Sequence, residues 1–288
     1  MVSGIHIMGI VNLTPDSFYA GSRVRADAAL QRIQAMFSEG ADVVDLGACS
    51  TRPGSQPASE EEEWARLEPV LHALMGFSRP SGPRNDISVM PGPDRASHIV
   101  QGPSPAIPSE ASVSPAFSID TFRPEIVRRA YELIGPFMVN DVGGGEDEML
   151  RTVGQLGLPY VAMHGRPFTG DVVEDVIAFF RDFAKKAQAF GVNDWLLDPG
   201  FGFNKTLEQN YTLLGHLKEV KDSFPREVLV GLSRKSMAYK LLGISPEEAL
   251  PATQVLHTLA LERGADWLRV HDVAAAVQTV RICTKSSY

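Results

Sequence analysis

The chain has only two cysteines in 288 residues, Cys49 and Cys283. That is too few for a disulfide framework, and with no Cys-x-x-Cys pair a zinc site is not expected. The sequence reads instead as that of a cytoplasmic protein with reduced thiols. Long apolar runs are also lacking. The first ends at Asn12 with no basic segment before it, too short for a signal peptide or a membrane span. Positive charge is scarce: 27 Lys and Arg stand against 35 Asp and Glu, a net charge of −8. This balance argues against a nucleic-acid surface but leaves room for a local basic pocket that takes a small anion.

What is present is an ordinary globular composition, 44% hydrophobic and 22% charged, enough for a sizeable core. Short β-rich runs alternate with helix-like stretches. The candidate strands are Ile5–Asn12, Asp42–Gly47, Ala116–Asp120, Phe137–Asp141, Tyr160–His164, Trp195–Asp198, Val228–Ser233 and Trp267–His271. Most are continuous runs of apolar residues, the pattern of parallel strands covered on their outer face. Between them, Ser59 is placed to cap a helix that buries Trp64, Leu67, Leu71 and Leu74. Asp171–Phe190 forms another, with Val172, Val176, Phe179, Phe183 and Phe190 near one face and Gly191 as its stop. Ser245-Pro246-Glu247-Glu248 begins a third. The acidic run Glu60–Glu63 reads as a solvated first turn that complements the helix dipole. Eight such repeats predict an α/β fold, a (β/α)8 TIM barrel forming a single domain over residues 1–288.

The repeat length is broken once. Strand ends at Asn12 and Asp45 are 33 residues apart, but Asp45 and Asp120 are 75 apart. The excess falls in Ser78–Pro115, where 8 Pro, 3 Gly and 8 Ser make up half of the 38 residues. Such a composition cannot bury enough apolar surface to offset the ordering entropy, and a flexible insertion is expected there.

In a barrel of this kind the strand C-termini and the loops after them form the site. Here they carry Asn12, Asp45, Asp120, Asn140-Asp141, His164, Asp198, Ser233-Arg234-Lys235-Ser236, Arg269 and His271. A single aspartate at a strand end is often only a helix cap, but polar residues at nearly every strand end are hard to explain that way. The acceptors Asp120, Asn140 and Asp198 suit a flat ring presenting adjacent N–H donors, such as a 2-amino-4-oxo-pyrimidine edge. Asn12, Arg269 and His271, with Lys235 nearby, suit phosphate oxygens, and Asn12 can offer a neutral oxygen to Mg2+. No Ser-His-Asp nucleophile is evident. Transfer with loss of diphosphate fits better than hydrolysis through a covalent enzyme intermediate.

Seven runs make a resemblance. Met8-Gly9-Ile10-Val11-Asn12-Leu13-Thr14-Pro15-Asp16-Ser17-Phe18 and Ser50-Thr51-Arg52-Pro53-Gly54 resemble the first and second loops of dihydropteroate synthases. Ser118-Ile119-Asp120-Thr121, Val139-Asn140-Asp141-Val142, Leu197–Phe203, Ser233-Arg234-Lys235-Ser236 and Arg269-Val270-His271-Asp272 complete the set in the family's order. The resemblance implies that Asp120, Asn140, Met163, Asp198 and Lys235 hold a pterin. It places Phe18, Thr51, Arg52, Pro53, Phe203 and Ser236 around p-aminobenzoate, Asn12, Arg269 and His271 at the diphosphate, and Mg2+ on Asn12. Catalysis would fall to Asp120, Asp198, Lys235, Arg269 and His271. The family further implies the substrates pterin diphosphate and p-aminobenzoate, a sulfonamide target, a homodimer, and neither nucleic-acid nor membrane partners.

The sequence departs from that pattern at Tyr19-Ala20-Gly21-Ser22, where the family carries an acidic residue, at Gly165-Arg166-Pro167, and at Asn204, where glycine is common. Two other readings compete. One is a methyltetrahydrofolate-binding barrel, which should lack the two loop motifs. The other is a catalytically silent pterin-binding paralogue, which tight binding without turnover would reveal.

Overall fold

A computed structural model of the chain describes residues 4–14, 22–49, 57–77 and 116–286. The expected insertion at 78–115 and the loop residues Phe18, Thr51, Arg52 and Pro53 lie outside these. Eight strands alternate with helices: β1 (His6–Asn12), α1 (Ser22–Glu39), β2 (Val43–Gly47), α2 (Glu60–Leu74), β3 (Phe117–Asp120), α3 (Pro124–Ile134), β4 (Met138–Asp141), α4 (Asp147–Leu156), β5 (Tyr160–Met163), α5 (Val172–Phe190) and β6 (Trp195–Asp198), then α6 (Leu207–Gly215), α7 (Leu217–Asp222), β7 (Leu229–Val230), α8 (Ser236–Leu242), α9 (Leu250–Glu262), β8 (Trp267–Val270) and α10 (Val273–Ser286). The strands hydrogen-bond in the order β6-β5-β4-β3-β2-β1-β8-β7, and every pair is parallel. A parallel bridge between Leu197 and Val228 joins the two ends of that order. The result is the TIM barrel expected from the βα repeat.

Side chains alternate along each strand, so residues two apart share a face. Met8, Val43, Met138, Val161, Leu196, Leu229 and Trp267 form a separate apolar cluster, apart from the larger core beneath the helices. This cluster is the floor of the barrel interior. Stepping two residues along each strand from the floor gives Ile10, Asp45, Asn140, Met163, Asp198, Gly231 and Arg269. Four of these seven, Asp45, Asn140, Asp198 and Arg269, are polar, so polar side chains lie directly above the apolar floor.

The helices follow their caps. The Ser59 hydroxyl accepts from the Glu62 N–H at 3.2 Å, and the Glu62 carboxylate accepts from the Ser59 N–H at 2.9 Å, a closed capping box. Trp64, Leu67, Leu71 and Leu74 are buried as expected. Glu63 corrects the reading of a solvated acidic run. It is 1% exposed and ion-paired with Arg123, which also donates to the Ala58 carbonyl. One step round the helix from Glu62 is enough to turn Glu63 inward, where only a cation makes the charge tolerable. Asp171 caps α5 through the Val173 and Glu174 N–H groups, and Gly191 ends it at φ 75°.

Two boundaries differ from expectation. The ladder of β7 covers only Leu229–Val230. The chain leaves the sheet after Val230 to reach a turn in which Arg234 takes φ 52°, held by two hydrogen bonds to Asp272 (2.8 and 3.0 Å). The helix expected at Ser245 opens as a short 3-10 turn, Glu247–Ala249, before α9. Pro251 has no N–H to return to the Glu247 carbonyl, which accepts instead from Arg234 Nη1 at 2.7 Å.

Candidate active site at the barrel mouth

The strand register brings Asn12, Asp120, Asn140, Met163 and Asp198 to one end of the barrel. Asn12 pairs with Gly47, Gly47 with Asp120, and Asp120 with Asn140. Met163 pairs with Asp198 at the same end of the barrel. Gly47 keeps the space between its neighbours small: a β-carbon there would stand 3.6 Å from Asn12 Oδ1 and 3.7 Å from Asp120 Oδ2. Asn12 and Asp120 thus face one another across a residue without a side chain.

Arg269 is the cation at the centre. Its Nε donates to Asp45 Oδ2 at 2.8 Å, and its Nη2 lies 2.6 Å from Asp45 Oδ2 and 2.7 Å from Asp120 Oδ2. Asn140 Nδ2 donates to the same Asp45 oxygen at 3.1 Å. The second oxygens of both carboxylates, Asp45 Oδ1 and Asp120 Oδ1, are buried and have no hydrogen-bond donor among the described residues. An unpaired buried carboxylate oxygen is costly, and in a mouth it marks a place for a donor from a ligand. Burial pushes the Asp120 carboxyl up to about 7, against the pull of Arg269 and with the help of Asp45. Burial likewise raises Asp198, opposed by Lys235 and by the Gly200 N–H that donates to its Oδ1 at 2.8 Å. Burial alone would lower the Arg269 guanidinium, but Asp45 and Asp120 hold it above its ordinary value.

Lys235 precedes α8 and reaches back over the loop after β6. Its ammonium donates to the Phe201 carbonyl and lies 4.8 Å from the centroid of the half-buried Phe203 ring. Burial lowers it to about 8, with Asp198 resisting. Ser236 opens α8 and is half-buried. His271 follows β8 with its backbone N–H and Nδ1 on Ser233 Oγ at 3.2 and 3.0 Å, and its carbonyl accepts from Arg32 at 2.8 Å.

Other polar residues shape the mouth without having been assigned a role from sequence. Lys205 donates to the carbonyls of His164, Gly200 and Phe203 at 3.0, 2.9 and 3.2 Å, and to His164 Nδ1 at 3.0 Å. It pins the loop that carries Phe203 to the end of β5. With Nδ1 accepting, the His164 proton sits on Nε2 and faces Asp175 at 2.7 Å. Burial, aided by Lys205, lowers that imidazole to about 4. Asp141 accepts from the Gly143 and Gly145 N–H groups at 2.6 and 3.1 Å and from the Tyr160 hydroxyl, so it braces the glycine loop after β4. Asn204 takes φ 46°, a conformation asparagine tolerates better than most residues, and donates to the Gly165 carbonyl at 2.6 Å. The residue that replaces a common glycine thereby meets the other local departure from the family pattern. Asp45 had a legible signal: in Val43-Val44-Asp45 and Trp267-Leu268-Arg269 the charge stands two residues beyond an inward apolar side chain.

Among the described residues no cluster of three His, Cys, Asp or Glu could cage a metal. Asn12 contributes one neutral oxygen beside Asp120. That set does not fit a resident site made wholly of protein ligands. It does fit Mg2+ arriving on a diphosphate and keeping most of its water.

The chain matches the family described as "Pterin binding enzyme" over residues 8–89 and 104–271, a match interrupted within the proline- and serine-rich segment. It is 33% identical to the dihydropteroate synthase of Escherichia coli K12 over 290 aligned positions, covering 96% of this chain and 90% of that protein. It superposes on Xanthomonas albilineans dihydropteroate synthase with 4-aminobenzoic acid at a TM-score of 0.81, with 34% identity and coverage of 99% and 94%. For the Thermus thermophilus dihydropteroate synthase in complex with 6HMPPP the TM-score is 0.75, with 32% identity and coverage of 100% and 96%.

Proposed function

Because the chain belongs to the family of pterin-binding enzymes, we propose that it is a transferase that condenses 6-hydroxymethyl-7,8-dihydropterin diphosphate with p-aminobenzoate, giving 7,8-dihydropteroate and diphosphate in folate biosynthesis. The observation that carries this reading is Asp120: one buried oxygen holds Arg269 and the other has no donor among the described residues, beside Asn140 in the neighbouring strand. A carboxylate so placed accepts two N–H groups from one edge of a pyrimidinone ring.

In this reading Asp120, Asn140 and Asp198 hold the ring edge, Lys235 donates to it, and Met163 lines its pocket. Arg269 and His271 take the diphosphate. Asn12 would hold a Mg2+ arriving with the diphosphate, and that ion would supply charge neutralisation at the leaving group. The C–O bond at the pterin methylene breaks as Arg269 and His271 stabilise the charge developing on the departing oxygens. Asp120 and Asp198 offset the positive charge that spreads into the ring. The arylamine is neutral at pH 7 and needs no strong base. Its position is set by Phe203 and Ser236, together with Phe18, Thr51, Arg52 and Pro53 from the two loops outside the described residues.

The test is direct. The purified protein, given both substrates and Mg2+, should release diphosphate and form dihydropteroate, and Asp120→Ala should lose both turnover and pterin binding. Tight binding of the pterin by the wild type with no turnover would favour the silent paralogue instead.

The described residues used here lie on one barrel, which supports a single domain over residues 1–288. We further propose that two barrels pair. Leu241 and Leu242 on α8, Val255 on α9 and Ile282 on α10 are 56–70% exposed on helices that pack in succession, and sedimentation should report a dimer that Val255→Glu or Ile282→Glu weakens. No helix among the described residues is long and apolar enough to cross a membrane. The compartment we propose is the cytoplasm, on the sequence grounds above.

A further inference from the structure

Arg234 stands between β7 and α8 with φ 52°, in the left-handed region that few residues other than glycine enter without strain. Such a conformation persists only where its surroundings fix it, and it is met most often at functional sites. All four nitrogens of Arg234 are engaged. Its backbone N–H donates to Thr253 Oγ1 at 3.0 Å, and Nη1 donates to the Pro246 and Glu247 carbonyls at 3.1 and 2.7 Å. Nε and Nη2 meet Asp272 Oδ2 and Oδ1 at 2.8 and 3.0 Å, one planar fork on the two oxygens of one carboxylate.

The pair joins two loops of the mouth. Lys235 is the residue after Arg234, and His271 is the residue before Asp272. A second tie lies beside the first, since Ser233 Oγ accepts from the His271 N–H at 3.2 Å. Residues 233–234 and 271–272 are thus bound side by side. From the turn at Arg234, Lys235 runs extended at φ −79° and ψ 161°, and its ammonium reaches back to the Phe201 carbonyl and over the Phe203 ring. An ion pair that only held the fold together could sit anywhere along these elements. This one sits one residue from a side chain of the mouth on each loop. We propose that Arg234 and Asp272 are positioning residues: their fork holds the strained turn and thereby aims Lys235 into the mouth at a fixed distance from His271. What this does for a bound ring rests on the function proposed above. The aim of Lys235 does not.

Two variants separate the pair from the turn. Arg234→Gly keeps the left-handed backbone accessible but removes the fork, and Asp272→Ala leaves Arg234 in place without its carboxylate. In ligand-free crystal structures of both, the Lys235 ammonium should have left the Phe201 carbonyl, with α9 and α10 unmoved. Lys235 still seated there in either variant would overturn the proposal. Calorimetric binding of 6-hydroxymethylpterin gives a second reading. Asp272→Ala should weaken it roughly tenfold. In a Lys235→Met background the same change should cost less than about twofold, because the loss passes through Lys235. Equal losses in the two backgrounds would show that Asp272 acts on the fold at large, and would also overturn it. A wild type that binds no pterin would count against the function proposed above alone, because the ligand-free structures read the aim of Lys235 separately.

Discussion

At the scale of single residues, the chemistry of the mouth is governed by burial. Asp120 holds its proton up to about 7 because it is desolvated, even with Arg269 beside it. A protonated carboxyl accepts poorly and cannot take two N–H donors. Affinity for a pterin should therefore rise as pH increases toward 7 and level off above it. Calorimetric titration of 6-hydroxymethylpterin between pH 5.5 and 8 checks this, and Asp120→Asn should flatten the profile while lowering affinity by roughly a hundredfold. A wild-type profile that is flat across that range would mean Asp120 is already ionised throughout. Most of these residues were legible from sequence because they stand at the ends of apolar runs. Asp45 was harder to assign because it stands two residues before its strand ends, and only the alternation of inward side chains marks it as a member of the same layer.

Among the elements, the loop between β6 and α6 is held from two sides. Lys205 fastens it to the end of β5 through the His164 carbonyl and ties in the loop's own Gly200 and Phe203 carbonyls, and Lys235 crosses it from the start of α8. Lys205→Met would leave those carbonyls without their donor. It should lower stability by about 3 kcal/mol and raise the KM for p-aminobenzoate more than it lowers kcat, since Phe203 sits on that loop. Steady-state kinetics together with denaturant unfolding test both halves. At α2, Ser59→Ala removes half of a closed capping box and should cost about 1 kcal/mol, with turnover unaffected. A helix start of this kind is legible because its signal is local. The burial of Glu63 is not, since its partner Arg123 lies 60 residues away and arrives only when β3 packs beside β2. The shortening of β7 and the 3-10 entry to α9 have the same character: Arg234 draws the Pro246 and Glu247 carbonyls and the Asp272 carboxylate, from two distant segments, onto one turn.

For the whole molecule, two histidines set an acid limit. His164 and His257 are buried, 0% and 2% exposed, and both are lowered to about 4 by desolvation. The unfolded chain takes up these protons near 6.5 and the folded one only near 4. Each histidine thus contributes stability that is complete above pH 6.5 and is lost as pH falls toward 4, roughly 3 kcal/mol apiece. Neither ring nitrogen of His257 has a hydrogen-bond partner among the described residues. His257→Met should hold or raise the Tm at pH 7 and reduce its fall between pH 6.5 and 4.5. Calorimetry at stepped pH would show an unchanged fall if His257 were not involved. The barrel as a whole was readable from the spacing of its strands, because a βα repeat imposes its period on every part of the chain except the one interrupted at 78–115.

The apolar floor carries a last consequence. Met8, Val43, Met138, Val161, Leu196, Leu229 and Trp267 fill the barrel interior beneath the polar residues of the mouth, so a ligand resting on those residues has packed side chains, not open space, under it. Whatever rests on Asp120 and Asp198 lies deeper than whatever rests on Phe203. With the ring on Asp120 and Asp198, the bicyclic substrate is expected to bind before the arylamine. Product-inhibition patterns should show the arylamine adding second.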